Sequence, residues 1–184
     1  MKSAILLYLT TVLACSSLLA VAQDQQPFKR QHLAIGPILG YNYGINGLNY
    51  GLGALYEFRP EKQLSFFAGL NYLQTRRSSS HQNTKSFTGE IWKQHLTALN
   101  FGARYYANEF YFAGAIGLAY KNELLLGADG RKTPLDSGFG FYKSLSTGYA
   151  LPISTHSIGE FEAGVFGVKE SMNVGGTMRY KFGW

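Results

Sequence analysis

The sequence predicts an all-β fold, a closed antiparallel up-and-down barrel of eight transmembrane strands. Three observations carry that prediction. Segments of about ten or more residues alternate apolar and polar or small side chains with a period of two, from Arg30 to the last residue, and turn residues separate them. Hydrophobic residues make up 46% of the 184-residue chain and charged residues 15%, yet no apolar run in its body approaches the ~20 residues a spanning helix needs. Glycine (22), Tyr (13) and Phe (13) are abundant, a balance that suits close backbones and interfacial aromatics in membrane strands.

At the N-terminus, Lys2 precedes an apolar stretch from Ala4 that ends in Ala20-Val21-Ala22, with polar Gln23-Asp24-Gln25-Gln26 beyond it. This pattern predicts a secretory leader over 1–22, cut after Ala22, and a short periplasmic segment over 23–29 before a barrel over 30–184. An uncleaved anchor is the weaker alternative, because Thr10, Thr11, Ser16 and Ser17 dilute the stretch. A second alternative is a lipoprotein, since Val12-Leu13-Ala14-Cys15 is similar to a lipobox. The apolar run Leu18 to Ala22 after the cysteine fits an ordinary leader better. Cys15 is the only cysteine, which excludes an intrachain disulfide framework. The net charge of +6 becomes +5 once Lys2 leaves with the leader. Its basic residues are scattered, so the sequence gives nucleic-acid binding no support.

The predicted strands are, in order, Gln31 to Tyr43, Leu48 to Arg59, Gln63 to Arg76, Ile91 to Tyr106, Glu109 to Lys121, Gly138 to Ala150, Ile158 to Lys169 and Met172 to Trp184. In the second, Leu48, Tyr50, Leu52, Ala54, Tyr56 and Phe58 share one face, and Asn49, Gly51, Gly53, Leu55, Glu57 and Arg59 the other. The fifth places Phe110, Phe112, Gly114, Ile116, Leu118 and Tyr120 against Tyr111, Ala113, Ala115, Gly117, Ala119 and Lys121. The eighth alternates most clearly: Met172, Val174, Gly176, Met178, Tyr180, Phe182 and Trp184 face one way, Thr177, Arg179 and Lys181 the other. Soluble sheets alternate too, but three successive same-face aromatics at a strand end fit an interfacial girdle better. Lys143 on an apolar face and Trp92 opposite Leu99 and Phe101 break the pattern; a bulge or a rim above the bilayer would accommodate them.

Link lengths alternate as well. Those at Pro60-Glu61, Asn108 and Pro152 are short, as periplasmic turns are, whereas Ser78 to Glu90 and Asn122 to Ser137 are long and predicted to face outward. The links near Ile45-Asn46 and Glu170-Ser171 are tight. Both termini then fall on the periplasmic side. Because lipid offers no partner to a free N–H or C=O, the strands must close into a ring. Eight strands leave an interior only wide enough for side chains, so Glu57, Arg59, Arg104, Glu160, Glu162, Arg179 and Lys181 are expected to pair as a plug and not to line a pore.

With its leader, eight alternating segments and terminal Tyr180-Lys181-Phe182-Gly183-Trp184, the chain resembles the small outer-membrane β-barrel superfamily, which includes OmpA- and OmpX-like barrels and the porin-like barrels of Bacteroidota. The resemblance is one of pattern across nearly the whole mature chain. It implies residence in the bacterial outer membrane and assembly by the barrel-assembly machinery, with Tyr180, Phe182 and Trp184 similar to its signal, although Trp stands where Phe is more frequent. It implies no single function.

The expected role is that of a non-catalytic structural or interaction component, an accessory subunit of a larger outer-membrane complex, in contact with outer-membrane lipids and lipopolysaccharide. The alternative is a lipid-modifying enzyme of the lipid A deacylase type, suggested by His156-Ser157 near Glu160; adjacent residues in a turn give the nucleophile no oriented base. His32, His81 and His95 are scattered, so no metal and no cofactor is expected. Arg76-Arg77 is a candidate for lipopolysaccharide phosphates. Leu124-Leu125-Leu126 leading into Asp129-Gly130 reads as a hairpin that lengthens its strands and offers an edge to a partner, or packs on its own neighbours.

Overall fold

The structure, a computed structural model, describes residues 29–78, 91–127 and 131–184. The leader reading of residues 1–22, His81, and Asp129-Gly130 lie outside the described residues. Eight strands run in chain order: β1 Gln31–Asn42, β2 Gly47–Phe58, β3 Leu64–Ser78, β4 Ile91–Ala107, β5 Phe110–Leu126, β6 Lys132–Pro152, β7 Ser157–Val168 and β8 Ser171–Gly183. Each pairs antiparallel with its neighbour, and β1 pairs with β8 to close the ring. All eight predicted strands are present, with the predicted faces.

Tight links become possible where a residue accepts a left-handed backbone. Asn46 (φ 60°) does so between β1 and β2, and Asn108 (φ 59°) between β4 and β5. Gly167 (φ 140°) bends the end of β7, where an added Cβ would also meet the Ser171 carbonyl. The end of the barrel holding Gln31, Gly183 and the β2–β3, β4–β5 and β6–β7 links is called the base here, and the opposite end the crown.

The register groups side chains into rows. On the outer face Leu52, Tyr72, Thr97, Tyr120 and Phe139 lie side by side across β2 to β6. Below that row the wall carries Leu70, Leu99 and Leu118, and further down Phe101, Phe112, Ile116 and Leu145, all exposed. The rows climb toward the crown in strand order, so Phe141 on β6 lies at the upper margin of this band. Aromatics rim both ends: Phe58, Phe66, Tyr105, Phe110 and Phe182 near the base, Tyr41, Tyr43, Tyr50 and Tyr120 near the crown. Phe110 and Tyr149 meet edge-on at 4.9 Å, as do Tyr41 and Tyr43 at 5.5 Å. An exposed apolar band between two aromatic rims is what hydrocarbon, not water, would solvate.

One expectation is corrected. Asn122 to Ser137 is not an open loop: β5 continues to Leu126 and β6 starts at Lys132, so the two form a tall hairpin above the crown, the lengthening of the strands that Leu124-Leu125-Leu126 suggested. The pairing absorbs Pro134 through a register shift next to Glu123 and Leu124, which leaves Leu135 unpaired across the ladder. Lys143 and Trp92 need no bulge of their own. Lys143 pairs with Gly167 at the crown end of β7, and Trp92 pairs with Arg77 and Leu125 in the tall wall.

Candidate functional site

Two surfaces hold the residues with chemical potential: the barrel lumen and the crown. In the base half of the lumen, inward positions of β2, β4, β7 and β8 bring Glu57, Arg104, Glu160, Glu162, Arg179 and Lys181 together. Arg104 Nη1 donates to Glu57 Oε2 at 2.9 Å and to Glu160 at 3.1 Å, while its Nη2 reaches Glu162 at 2.9 Å. Lys181 Nζ lies 2.7 Å from Glu57 and 2.8 Å from Glu160, and Arg179 Nη1 lies 2.8 Å from Glu162. Three cations thus face three carboxylates.

Aromatic hydroxyls and hydroxyl side chains satisfy the remaining lone pairs. Tyr106 donates to Glu57 at 2.8 Å, and Tyr111 and Ser146 each donate to Glu162 at 3.0 Å. The Arg104 guanidinium also stacks over Tyr111 (4.6 Å) and Phe67 (5.1 Å). A buried ion pair repays its desolvation only when such additional bonds complete it, and this cluster meets that condition. Arg59 stands apart at the base rim, donating to the Lys62 carbonyl at 2.5 Å and stacked 3.9 Å over Tyr106.

Sequence reasoning missed the rest of the filling. Tyr106, Tyr142 and Phe67 point inward although aromatics were expected on the outer face; Tyr111 lies inside with Ala113 and Ala115, as the alternation of β5 predicted. Ile38, Leu73, Leu96, Ala98, Ala119, Tyr142 and Val168 form an apolar middle layer. Above it Asn42, Gln94 and Ser171 bond one another at 2.6–3.2 Å, Gln94 continues to Glu123 at 2.9 Å, and Asn49 meets Asn173 at 2.6 Å. Only the inward parity of these uncharged residues marked them in the sequence. A cavity bordered by Asn100, Arg104, Ser146 and Arg179 is about 40 Å³, room for a few waters.

At the crown Lys121 binds Asp136 (2.9 Å), Glu123 (3.2 Å) and Glu170 (3.4 Å), tying the root of the hairpin to the β7–β8 link. Of the adjacent Arg76 and Arg77, only Arg76 faces outward; Arg77 turns in and donates to the Ile45 carbonyl at 3.1 Å. Arg76 stands directly across the ladder from Lys93, flanked in the same row by Leu48 and Leu124. Like charges placed opposite each other on one face repel, which makes the pair receptive to an anion. The sequence could not show it, because the two residues lie on different strands.

His156, Ser157 and Glu160 are not gathered. Ser157 Oγ meets Ser154 Oγ at 2.7 Å and accepts from Tyr180 at 2.8 Å, His156 Nδ1 meets Thr155 Oγ1 at 2.8 Å, and Glu160 is held by Lys181 and Arg104 inside the barrel. Of the terminal aromatics, Tyr180, Phe182 and Trp184 all face outward, with Phe182 and Trp184 6.2 Å apart at the base rim. Leu124, Leu125 and Leu126 are half-buried in the tall wall.

No protein-family description matches the sequence, and no curated protein matches it. Among solved structures, the chain is similar to Ail, the attachment invasion locus protein of Yersinia pestis, in a complex with the heparin analogue sucrose octasulfate: TM-score 0.55, 12% identity, over 85% of this chain and 99% of that one. It is also similar to the N-terminal β-barrel domain of Pseudomonas aeruginosa OprF, with TM-score 0.50, 11% identity, 84% of this chain and 100% of the other. The fold is that of the small eight-stranded outer-membrane β-barrels.

Proposed function

We propose that the chain resides in the bacterial outer membrane as a sealed, non-catalytic barrel that acts through its outer surface, as a structural or interaction component and as an accessory subunit of a larger envelope complex. The observation that carries this reading is the contrast between the two sides of one sheet: an exposed apolar band outside, and inside a lumen closed by the Glu57–Arg104–Lys181 cluster. Lipid outside and a filled interior leave the crown as the surface available for recognition.

In this reading the base faces the periplasm, with both termini there, after removal of residues 1–22. Tyr180, Phe182 and Trp184 serve the barrel-assembly machinery as the recognition signal. Arg76 and Lys93 contact lipopolysaccharide phosphates, and the hairpin that includes Leu124, Leu125 and Leu126 meets partner proteins. The dispersal of His156, Ser157 and Glu160 favours this reading over a lipid A deacylase.

Fractionation of cells with purification of the detergent-extracted protein tests the proposal. The expected result is outer-membrane recovery, a folded band that migrates differently from the boiled one, and co-purification of envelope proteins. Recovery in the soluble periplasmic fraction contradicts membrane residence, and altered lipid A upon deletion contradicts the non-catalytic role.

A further inference from the structure

The wall of the barrel is uneven at the crown, and the unevenness exposes a strand edge. β6 pairs with β7 from Pro152 to Lys143, whose partner is Gly167, and β7 ends one residue later at Val168. On its other side β6 stays paired with β5 as far as Lys132. Among the described residues, the stretch from Tyr142 back to Lys132 therefore has one paired edge and one unpaired edge.

Backbone parity shows which groups face the free side. Ala150 N donates to the Glu109 carbonyl, so alternate residues from Ala150 to Gly138 and Asp136 turn toward β5, while Phe141, Phe139 and Ser137 turn their N–H and C=O away from it. At the tip Gly127 N donates to Arg131, and counting back from there puts the Pro134 nitrogen on the free side as well. Proline and the irregularity at Leu135 blunt the upper part of the edge, a device that keeps strands from pairing indiscriminately. Ser137 to Phe141 carries no such block. Two of its side chains stand open on the outer face: Phe139 is 81% exposed and Phe141 60%. Beside them lies a notch of about 470 Å³ lined by Gly138, Phe139, Phe141, Lys143, Lys169 and Glu170, among others.

A second copy of the chain in the same membrane does not fit this edge. Barrel strands tilt by about 35–45° from the membrane normal, so two β6 edges brought face to face by a two-fold axis along that normal would cross at roughly twice that angle and could not form a ladder. A separate extended segment has no such restriction. Charge selects its composition: Asp136 and Glu170 are both engaged by Lys121, whereas Lys143 and Lys169 are exposed beside the notch with no carboxylate partner among the described residues.

The geometry points to the Ser137–Phe141 edge of β6 as a strand-addition site for an acidic, extended segment of another protein, with apolar side chains at alternate positions to cover Phe139 and Phe141. Main-chain bonds supply binding and the notch with its lysines supplies selection. This inference rests on the reading of the crown as an interaction surface and names the chemistry of the partner.

The test uses the whole mature protein refolded in phosphatidylcholine vesicles and a synthetic peptide alternating Val or Phe with Glu, compared with the same peptide carrying Lys in place of Glu. The expected results are slowed amide exchange at Ser137, Phe139 and Phe141 on addition of the acidic peptide, and affinity weaker by about tenfold or more in Phe139→Pro, which removes a donor facing the free side. Because a proline variant can fail to fold, K143E/K169E provides the second reading: affinity for the acidic peptide falls and that for the lysine peptide rises. Equal binding of both peptides to the unaltered protein, protection of the three amides by lipid alone, or unchanged affinity in K143E/K169E overturns the inference. Failure of membrane residence is read separately, from fractionation, and leaves the peptide titration of the folded protein interpretable.

Discussion

Lys181 on β8 and Glu57 on β2 meet at 2.7 Å inside the barrel with both side chains 0% exposed, although 124 residues separate them in the chain. Only β1 stands between the two strands in the ring, so the bond bridges across the lumen side of β1 and ties its two neighbours together. It joins the same carboxylate that Arg104 holds from β4.

Removing one member leaves a buried charge short of its partner. Lys181→Met is expected to destabilise the folded barrel by about 3–5 kcal/mol, measured by urea unfolding in vesicles. Adding Glu57→Gln to it should recover part of that loss, because the uncompensated carboxylate is gone; a double variant whose loss equals the sum of the singles would deny the coupling.

Packing at the base half is tight around Tyr111. A Cβ added at Gly148 would lie 2.3 Å from the Tyr111 ring and 2.7 Å from the Phe161 carbonyl. Gly148→Ala should therefore cost about 1–3 kcal/mol in the same unfolding measurement, and a neutral result would show that Tyr111 is free to shift.

Arg76 and Lys93 stand opposite each other on the outer face. In vesicles of neutral lipid, Lys93→Gln should be neutral to stabilising by roughly 0.2–1 kcal/mol, since it relieves repulsion. In vesicles containing lipopolysaccharide the same substitution should destabilise, because it removes half of a phosphate clamp. The check is the sign of the change between the two lipids.

Much of the fold was legible because a membrane strand has two solvents, and each residue of β5 from Phe110 to Tyr120 or of β8 from Val174 to Trp184 declares its side by type. Turn residues Asn46, Asn108 and Pro60 then delimited the strands. The tall hairpin was less legible: Asn122, Glu123 and the three leucines lack a period of two, and Pro134 reads as a breaker when its nitrogen in fact faces an unpaired edge. The inward parity of Glu57, Arg104 and Lys181 could be read locally, but their distances depend on registers summed around the ring. For the same reason the Arg76–Lys93 pair and the Asn42–Gln94–Ser171 cluster were invisible before strand pairing was known, as was the step in the wall that leaves β6 open.

Phe112 and its neighbour Ala113 provide a direct contrast across the sheet, 62% and 5% exposed. On the same outer face, Ile116, 60% exposed beside Phe101, stands within the apolar band, and Ile116→Arg should cost about 2–4 kcal/mol in vesicles. A cost near zero would place that position in water or headgroups.

The most direct measurement of the central claim is a nitroxide scan from Phe110 to Tyr120, one label at a time, in vesicles; the barrel segment has no native cysteine to interfere. The account predicts that labels at Phe112, Gly114, Ile116 and Leu118 collide readily with oxygen dissolved in lipid, and that labels at Ala113, Ala115, Gly117 and Ala119 are shielded from it. A scan with no alternation, or one in which the even positions are reached by a water-soluble quencher instead, would contradict a sheet whose outer face is solvated by hydrocarbon.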